Sequence, residues 1–366
     1  MRREAGYLVA LAALSLIVKA VGAWLNRVLV FDEWLYCVEA YHLLCNYKLP
    51  TIFPLTPLAM SPWLVIFGIT KYAFLANTLV WGSLLAPLTY LLAKRFLDDE
   101  LSFYLALMAS LNPMFIWTSS HALTEPLFTS LALSSILLAL KGSFLTAGLV
   151  GGLAYLCRYP AIILLATMTP YLWRESRRGV LLYLLGFMGV VLCWLSITYT
   201  LTGGVLQTES YSLGSLGPLP RLSLNALFVI SSKVLIGLTI LLVPLMPLIP
   251  FISPKEKFRV PGLIWWFIAL WCALHLGYYT YQSLNVYWAR GLAVASERVA
   301  RWLSPMMPLA LLIVFSHVNR KRMFKVGVVL SLMISVALGL YLVDYTNRVG
   351  GFEPSWEGFL EKLMKK

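Results

Sequence analysis

Apolar residues occupy this chain in long unbroken runs rather than on one face of each element. The runs lack the polar stripe that a surface helix keeps at a period of about 3.6 residues, and none alternates strictly as a half-buried strand would. Helices surrounded by hydrocarbon need no polar face, and about 20 residues cross the membrane core. The pattern predicts about eleven spans, near residues 6–26, 72–93, 101–118, 121–140, 143–157, 159–173, 180–200, 224–250, 261–280, 302–318 and 326–343. Residues 57–70 (PLAMSPWLVIFGIT) are apolar but short and lie between prolines and Lys71, which reads as a re-entrant or interfacial segment. Trp356, Phe359, Leu360 and Leu363 share one helical face, predicting an amphipathic helix on the membrane surface.

Composition agrees: 60% of residues are hydrophobic, 12% are charged and the mean hydropathy is +0.79. No Gly/Ser linker, low-complexity tract or long repeat divides the runs. The expected architecture is an all-α polytopic membrane domain over 1–343 followed by an amphipathic tail over 344–366. The first run lacks a small-residue cleavage site and is followed by further spans, so it reads as a retained span.

The net charge of +13 is arranged by topology. With the N-terminus cytoplasmic, the inner loops carry Arg2, Arg3, Lys94, Arg95, Lys141, Arg174, Arg177, Arg178, Lys255, Lys257, Arg259, Arg320, Lys321, Arg322 and Lys325. Loops 27–56, 201–223 and 281–301 then fall on the extracytoplasmic side. Basic residues spread over separate inner loops argue against nucleic acid as a partner. Cys157, Cys193 and Cys272 read as small apolar packers, and Cys37 and Cys45 are too far apart on a helix to bridge. Lys19 and Lys233 fall within or near spans and suggest no role.

The unusual polar residues gather at the outer boundary: Asp32, Glu33, His121, Glu125, Arg158, Glu209, Arg221, His275, Arg290, Glu297, Arg298 and Arg301. Outer arginines run against the topological bias, and an anionic ligand accounts for them, since guanidinium binds phosphate bidentately and stays charged. Each has an ordinary alternative. Asp32 can cap a helix starting at Glu33. Glu125 can be a solvated first-turn acid. Arg158 can snorkel, and Glu297 can pair with Arg301 one turn on. His121 and His275 fit structural roles. The aromatic cluster Tyr278, Tyr279, Tyr281, Tyr287 and Trp288 fits an interfacial belt, or a sugar-binding or lipid-entry surface.

Val30-Phe31-Asp32-Glu33, directly after the first span, resembles the acidic outer-loop motif of the integral-membrane C-type (GT-C) glycosyltransferases. The likeness is nearest to the dolichyl-phosphate-mannose-dependent branch, the protein O-mannosyltransferases and the second GPI mannosyltransferase family. Phe53-Pro54-Leu55-Thr56-Pro57-Leu58, Asn112-Pro113, Thr124-Glu125-Pro126-Leu127-Phe128 and Arg158 follow in the same order, as does the segment from Glu297-Arg298 to Pro305 and Pro308. The resemblance is strongest over about residues 25–165. The chain differs from the first group in having no large luminal domain. It differs from the second in carrying Phe31 where a tryptophan is usual.

The resemblance implies a GT-C-like fold whose outer first loop contains interfacial helices. It also implies an inverting transfer of a sugar, mannose by the nearest likeness, from a polyprenyl- or dolichyl-phosphate-sugar to an acceptor hydroxyl. Asp32, or else Glu33, becomes the general base. Arg158, Arg298 and Arg301, with Arg290 behind them, become the cations facing the leaving phosphate. Glu125 orients hydroxyls, and His121 and Glu297 join the substrate-binding set. The acceptor is a glycan, lipid or protein. No cofactor is required, because arginine can neutralise a single phosphate, although the acid cluster leaves room for a divalent cation. The alternative from a different class is a polytopic flippase or transporter of lipid-linked glycans. That reading predicts mid-membrane polar residues, broken helices and a repeat relating two halves. A polymerase or ligase of lipid-linked glycans would be expected to place its charges in a large late outer loop.

Overall fold

Where the apolar runs are longest, the chain folds into helices long enough to cross a membrane. The computed structural model describes residues 2–50, 53–202, 224–252, 262–290, 296–318, 324–349 and 355–364. In chain order the helices are α1 (Arg2–Leu25), α2 (Phe31–Asn46), α3 (Leu55–Phe67), α4 (Lys71–Ala93), α5 (Asp99–Ser110), α6 (Pro113–Ser119), α7 (Glu125–Leu140) and α8 (Phe144–Cys157). They continue as α9 (Ile162–Glu175), α10 (Arg177–Thr202), α11 (Leu224–Leu242), α12 (Gly262–Arg290), α13 (Ser296–Leu303), α14 (Met307–Phe315), α15 (Phe324–Val349) and α16 (Trp356–Met364). Extended pairing among the described residues is limited to isolated bridges, Val28 with Ser355 and Ile252 with Val318.

Seven of the described helical segments are long and apolar enough to cross a membrane, and an eighth is added if α5 and α6, bent by 55°, form one span. The sequence pattern predicts about eleven, and the difference lies mainly in α7, α8 and α9. These have 16, 14 and 14 residues, about 21–24 Å of helix against a core of about 30 Å. An apolar run cannot by itself reveal a buried turn. Here the turns at 120–124 and 158–161 consume part of each run. Residues 120–125 are wholly buried, so this irregular backbone is lined by protein rather than lipid. The α5–α6 break has a local cause. Asn112 caps α6 by accepting from the Met114 N–H at 3.1 Å, and Pro113 supplies a ring suited to a first helical position.

Small residues let the helices approach closely. A Cβ on Gly148 or Gly152 of α8 would run into backbone atoms of Tyr183 or Phe187 on α10, and one on Gly186 into Leu145. This is the small-residue interface that membrane helices use where no hydrophobic drive pulls them together. Lys19 of α1 is fully buried. Its ammonium donates to Ser15 Oγ and Ser110 Oγ at 2.9 Å each, and to the Gly82 carbonyl. Ser110 ends α5, so the charge also meets the negative end of that helix. Lys19 therefore staples α1, α4 and α5.

Two ends of the bundle separate by chemistry. Lys94 pairs with Glu4 at 3.2 Å and Asp99 at 3.3 Å, and Lys325 with Glu100 at 2.8 Å, joining the starts of α1, α5 and α15 to the end of α4. At the opposite end Lys71, which opens α4, donates to the Asn26 carbonyl just past α1. The expected first-loop helices are α2 and α3. The C-terminal segment departs from its sequence reading: α15 runs to Val349, and the apolar face of α16 lies on protein rather than lipid. Trp356 and Phe359 each pack on Phe74 of α4 with ring centroids 6.1 Å apart, and the Trp356 N–H donates to the Arg27 carbonyl at 3.3 Å. Leu363 is buried with them.

Candidate active site

The chain between α1 and α2 turns at Val30, and α2 begins one residue before Asp32. Val30 is the N-cap residue, and its N–H donates to Glu33 Oε2 at 3.1 Å. The sequence-level alternative, Asp32 as the cap of a helix starting at Glu33, is thereby displaced. Glu33 stands at the third helical position and does the capping, which leaves the Asp32 carboxylate for another partner.

Glu33 is also a fastener between distant segments. Its Oε1 accepts from the Ala122 N–H at 2.8 Å, in the turn between α6 and α7, and the residue is fully buried. Burial pushes its carboxyl up to about 8, against the opposing pull of the two backbone donors. That pins Asp32 beside the start of α7, where Glu125 stands.

Asp32, Arg301, Glu125 and Arg158 form one continuous chain of charge. Arg301 Nη1 pairs with Asp32 Oδ2 at 2.6 Å, and Arg301 Nε donates to Glu125 Oε1 at 2.6 Å. Arg158 Nη1 donates to the same Glu125 oxygen at 2.6 Å. Glu125 is fully buried, and the side chains of Arg158 and Arg301 are 8% and 7% exposed, whereas that of Asp32 is 26% exposed. The chain thus runs from a sealed carboxylate to one that reaches the surface. Burial alone would raise Asp32. The charges of Arg301, then Arg298, then Arg158 overcome it and hold the carboxyl below its ordinary range.

These positions answer the ordinary alternatives. Glu125 is not solvated, since two guanidinium groups meet one of its oxygens, and the other, Oε2, has no partner among the described residues. Arg158 does not snorkel. Its backbone is extended at the tight turn between α8 and the short helical turn Tyr159–Ala161, and its side chain points into the protein. Arg301 reaches across to α2 and α7. Arg298, one turn earlier on α13, is half-buried, and its charge is felt at Asp32.

His121 is fully buried, with Nδ1 bonded to the Trp117 carbonyl at 2.9 Å; burial, and secondarily the charges of Arg301 and Lys71, push it down to about 4. His275 is buried on α12. Arg290 ends α12 and Glu297 lies in α13, but their side chains lie outside the described set, as do those of Tyr287 and Trp288. Glu209 and Arg221 lie outside the described residues. Tyr278 and Tyr279 both meet Trp302, at 5.5 and 5.9 Å between ring centroids, so this pair packs α12 on α13.

Tyr36 escapes the sequence reading. It is buried within electrostatic reach of Asp32, Arg301 and Glu125, and its phenol is raised well above its usual value, first by burial and then by Asp32. Its signal was the i, i+4 spacing from Asp32 on α2. Among the described residues no group of three or more His, Cys, Asp or Glu side chains is arranged to hold a metal ion. Asp32 and Glu125 are each engaged by guanidinium instead.

No protein-family model matches the chain, and no curated protein sequence does. Solved structures do match. ArnT from Cupriavidus metallidurans bound to undecaprenyl phosphate superposes with a TM-score of 0.62 at 14% identity, over 91% of this chain and 63% of that one. The same protein in the apo state gives 0.60 at 16% identity, over 88% and 61%. The Archaeoglobus fulgidus oligosaccharyltransferase tethered to an acceptor peptide containing the NVT sequon gives 0.51 at 13% identity, over 96% and 56%. The chain spans about three fifths of the length of these structures. Both neighbours are GT-C glycosyltransferases. At this level of identity the likeness establishes the fold alone, and the chain is an all-α, multi-pass membrane protein with a GT-C-like fold.

Proposed function

We propose that this protein is an inverting glycosyltransferase that moves a sugar from a polyprenyl-phosphate-linked donor to an acceptor hydroxyl on the extracytoplasmic face. The observation that carries the reading is the charge chain itself: a carboxylate at the surface end, backed by buried arginines, on a GT-C fold. The lipid-phosphate and acceptor ligands of the two structural neighbours support a lipid-linked donor and a separate acceptor. Mannose and a dolichyl carrier are the finer choice, and their support is the sequence resemblance. The positive-inside pattern supports a cytoplasmic N-terminus and hence an outer active site.

In this mechanism Asp32 accepts the proton of the acceptor hydroxyl as its oxygen bonds to the anomeric carbon. The bond from that carbon to the phosphate oxygen breaks, and its electron pair leaves with the lipid phosphate. The phosphate passes from a singly charged diester to a monoester bearing one further negative charge. Arg301 and Arg158, with Arg298 nearby, are placed to stabilise that charge as it develops. Arg301 also depresses the basicity of Asp32. Sharing Arg301 with the incoming phosphate would relax that hold, so donor binding readies the base.

Two observations could favour a flippase: a lysine at mid-span and the broken helix α5–α6. The ammonium of Lys19 is satisfied by three fixed groups and shut from any path, so it reads as a staple. The separating experiment is a donor screen with purified protein and lipid-linked mannose, glucose and aminoarabinose, with products identified by mass. Transfer from at least one donor supports the enzyme; movement of lipid across vesicles with no transfer from any donor supports the flippase.

A further inference from the structure

Two histidines from distant parts of the chain share one local arrangement. His121 follows Trp117 by one helical turn, and His275 follows Trp271 in the same way. Each Nδ1 is bonded to the carbonyl of that tryptophan, at 2.9 Å and 3.0 Å. Each imidazole lies against the same tryptophan, with ring centroids 4.7 Å and 4.1 Å apart. A carbonyl only accepts, so Nδ1 carries the hydrogen. Both rings are buried within electrostatic reach of a guanidinium group, where a further cation is not accommodated, so each is neutral. Nε2 is then a bare acceptor. Neither Nε2 has a partner among the described residues.

Both rings lie within electrostatic reach of the charge chain. His121 stands one turn before Glu125 and within electrostatic reach of Arg301. His275 is within reach of Arg158. Trp271 is fixed in that place: its Nε1 donates to the carbonyl of Trp302, next to Arg301, at 2.8 Å, and its ring stacks on Phe128 of α7 at 5.0 Å.

A buried acceptor left without a donor is costly. Two in the same posture, each within electrostatic reach of an arginine of the site, call for a ligand that supplies neutral hydrogen-bond donors. An ionised lipid phosphate has only acceptors to offer. The hydroxyls of a sugar fit. Resting on the glycosyltransferase reading, we propose that His121 and His275 are substrate-positioning residues whose Nε2 atoms accept hydrogen bonds from hydroxyls of the donor sugar, while the arginines take the phosphate.

The test compares binding of dolichyl phosphate with that of dolichyl-phosphate-mannose and dolichyl-phosphate-glucose to the full chain in nanodiscs. Wild type should bind at least one sugar-bearing lipid more tightly than the bare phosphate. His275→Phe and His121→Phe should each lose about three- to tenfold in affinity for that lipid, the size of one hydrogen bond, with bare-phosphate affinity unchanged. His275→Gln, whose amide oxygen can take the place of Nε2, should keep most of it. Where a Phe variant fails to fold, wild type tested with 2-, 3-, 4- and 6-deoxy sugars should show the same loss at one or two positions. Equal loss for bare and sugar-bearing lipids, no loss at all, or a wild type indifferent to the sugar and to every deoxy analogue overturns the inference. Those results leave the enzyme reading standing if transfer is observed. A wild type that binds no lipid and transfers nothing overturns both.

Discussion

Replacing Glu125 with glutamine tests the charge chain at its centre. The carboxylate is fully buried and accepts from Arg158 and Arg301 at 2.6 Å each. Glutamine keeps the shape but removes the charge: its amide oxygen can hold the place of Oε1, with the nitrogen at the position of Oε2, which has no partner among the described residues. Two guanidinium groups then lose their shared counter-ion inside the protein. Each charge-assisted hydrogen bond is worth about 1.5–3 kcal/mol, and breaking a buried pair by removing one partner costs about 3–5 kcal/mol. The second figure governs, because Arg301 retains Asp32 while Arg158 is left buried without its carboxylate. A loss of about 3–5 kcal/mol corresponds to a fall in unfolding midpoint of roughly 6–20 °C in a domain of some 200 residues, and less in a longer chain. Tryptophan fluorescence in detergent reads it directly. Arg158→Met combined with Glu125→Gln should cost less than the two single changes together, since the double variant buries one fewer orphaned charge. A Glu125→Gln midpoint within about 2 °C of wild type would show that the pairs are not the buried network described.

Three further outcomes follow from the packing. Glu33 has a raised folded-state pKa of about 8. The native state therefore holds a proton that the unfolded chain releases near the ordinary value of 4.5, and stability should fall as pH rises from about 4.5 to 8. Glu33→Gln should flatten that slope in pH-dependent melts, and an unchanged slope would assign it to another group. Lys19→Met should leave transfer intact and cost about 1–3 kcal/mol of stability, because the Gly82 carbonyl and the Ser15 and Ser110 hydroxyls lose the donor that joins them; loss of function with retained fold would restore the mid-membrane lysine to a functional role. Gly148→Val should destabilise by about 2 kcal/mol or more by forcing α8 from α10 at Tyr183, and a wild-type melting curve would refute the close approach.

Long apolar runs were enough to place α1, α4, α10, α11, α12 and α15, because hydrocarbon demands an uninterrupted surface. The same signal failed at residues 120–124. Every position there is buried in protein, and the polar residues Ser120, His121 and Thr124 fit the start of a helix as readily as a turn. Asp32 and Glu33 stood out as adjacent acids in an apolar chain, but their division of labour did not. Helix α2 starts at Phe31 rather than Glu33, and that two-residue difference moves capping to Glu33. The pairing of Arg301 with Asp32 and Glu125 is a long-range fact that no local spacing encodes; the nearby Glu297 offered a simpler partner. The apolar face of α16 was visible, yet an apolar stripe fits lipid or protein equally, and only the position of Phe74 decides between them. His275 reads as structural from sequence because a histidine in an apolar span gives no sign of which nitrogen is already used.

The most direct measurement is sugar transfer by Asp32→Asn, using purified protein and a radiolabelled polyprenyl-phosphate sugar that wild type consumes. Asp32 is the partly exposed member of the chain, so the variant should fold and bind the lipid donor nearly as wild type does. Removal of the base should lower the transfer rate by about 10²–10⁴-fold. Turnover at the wild-type rate in a folded Asp32→Asn protein would contradict the assignment of the base and, with it, the proposed mechanism.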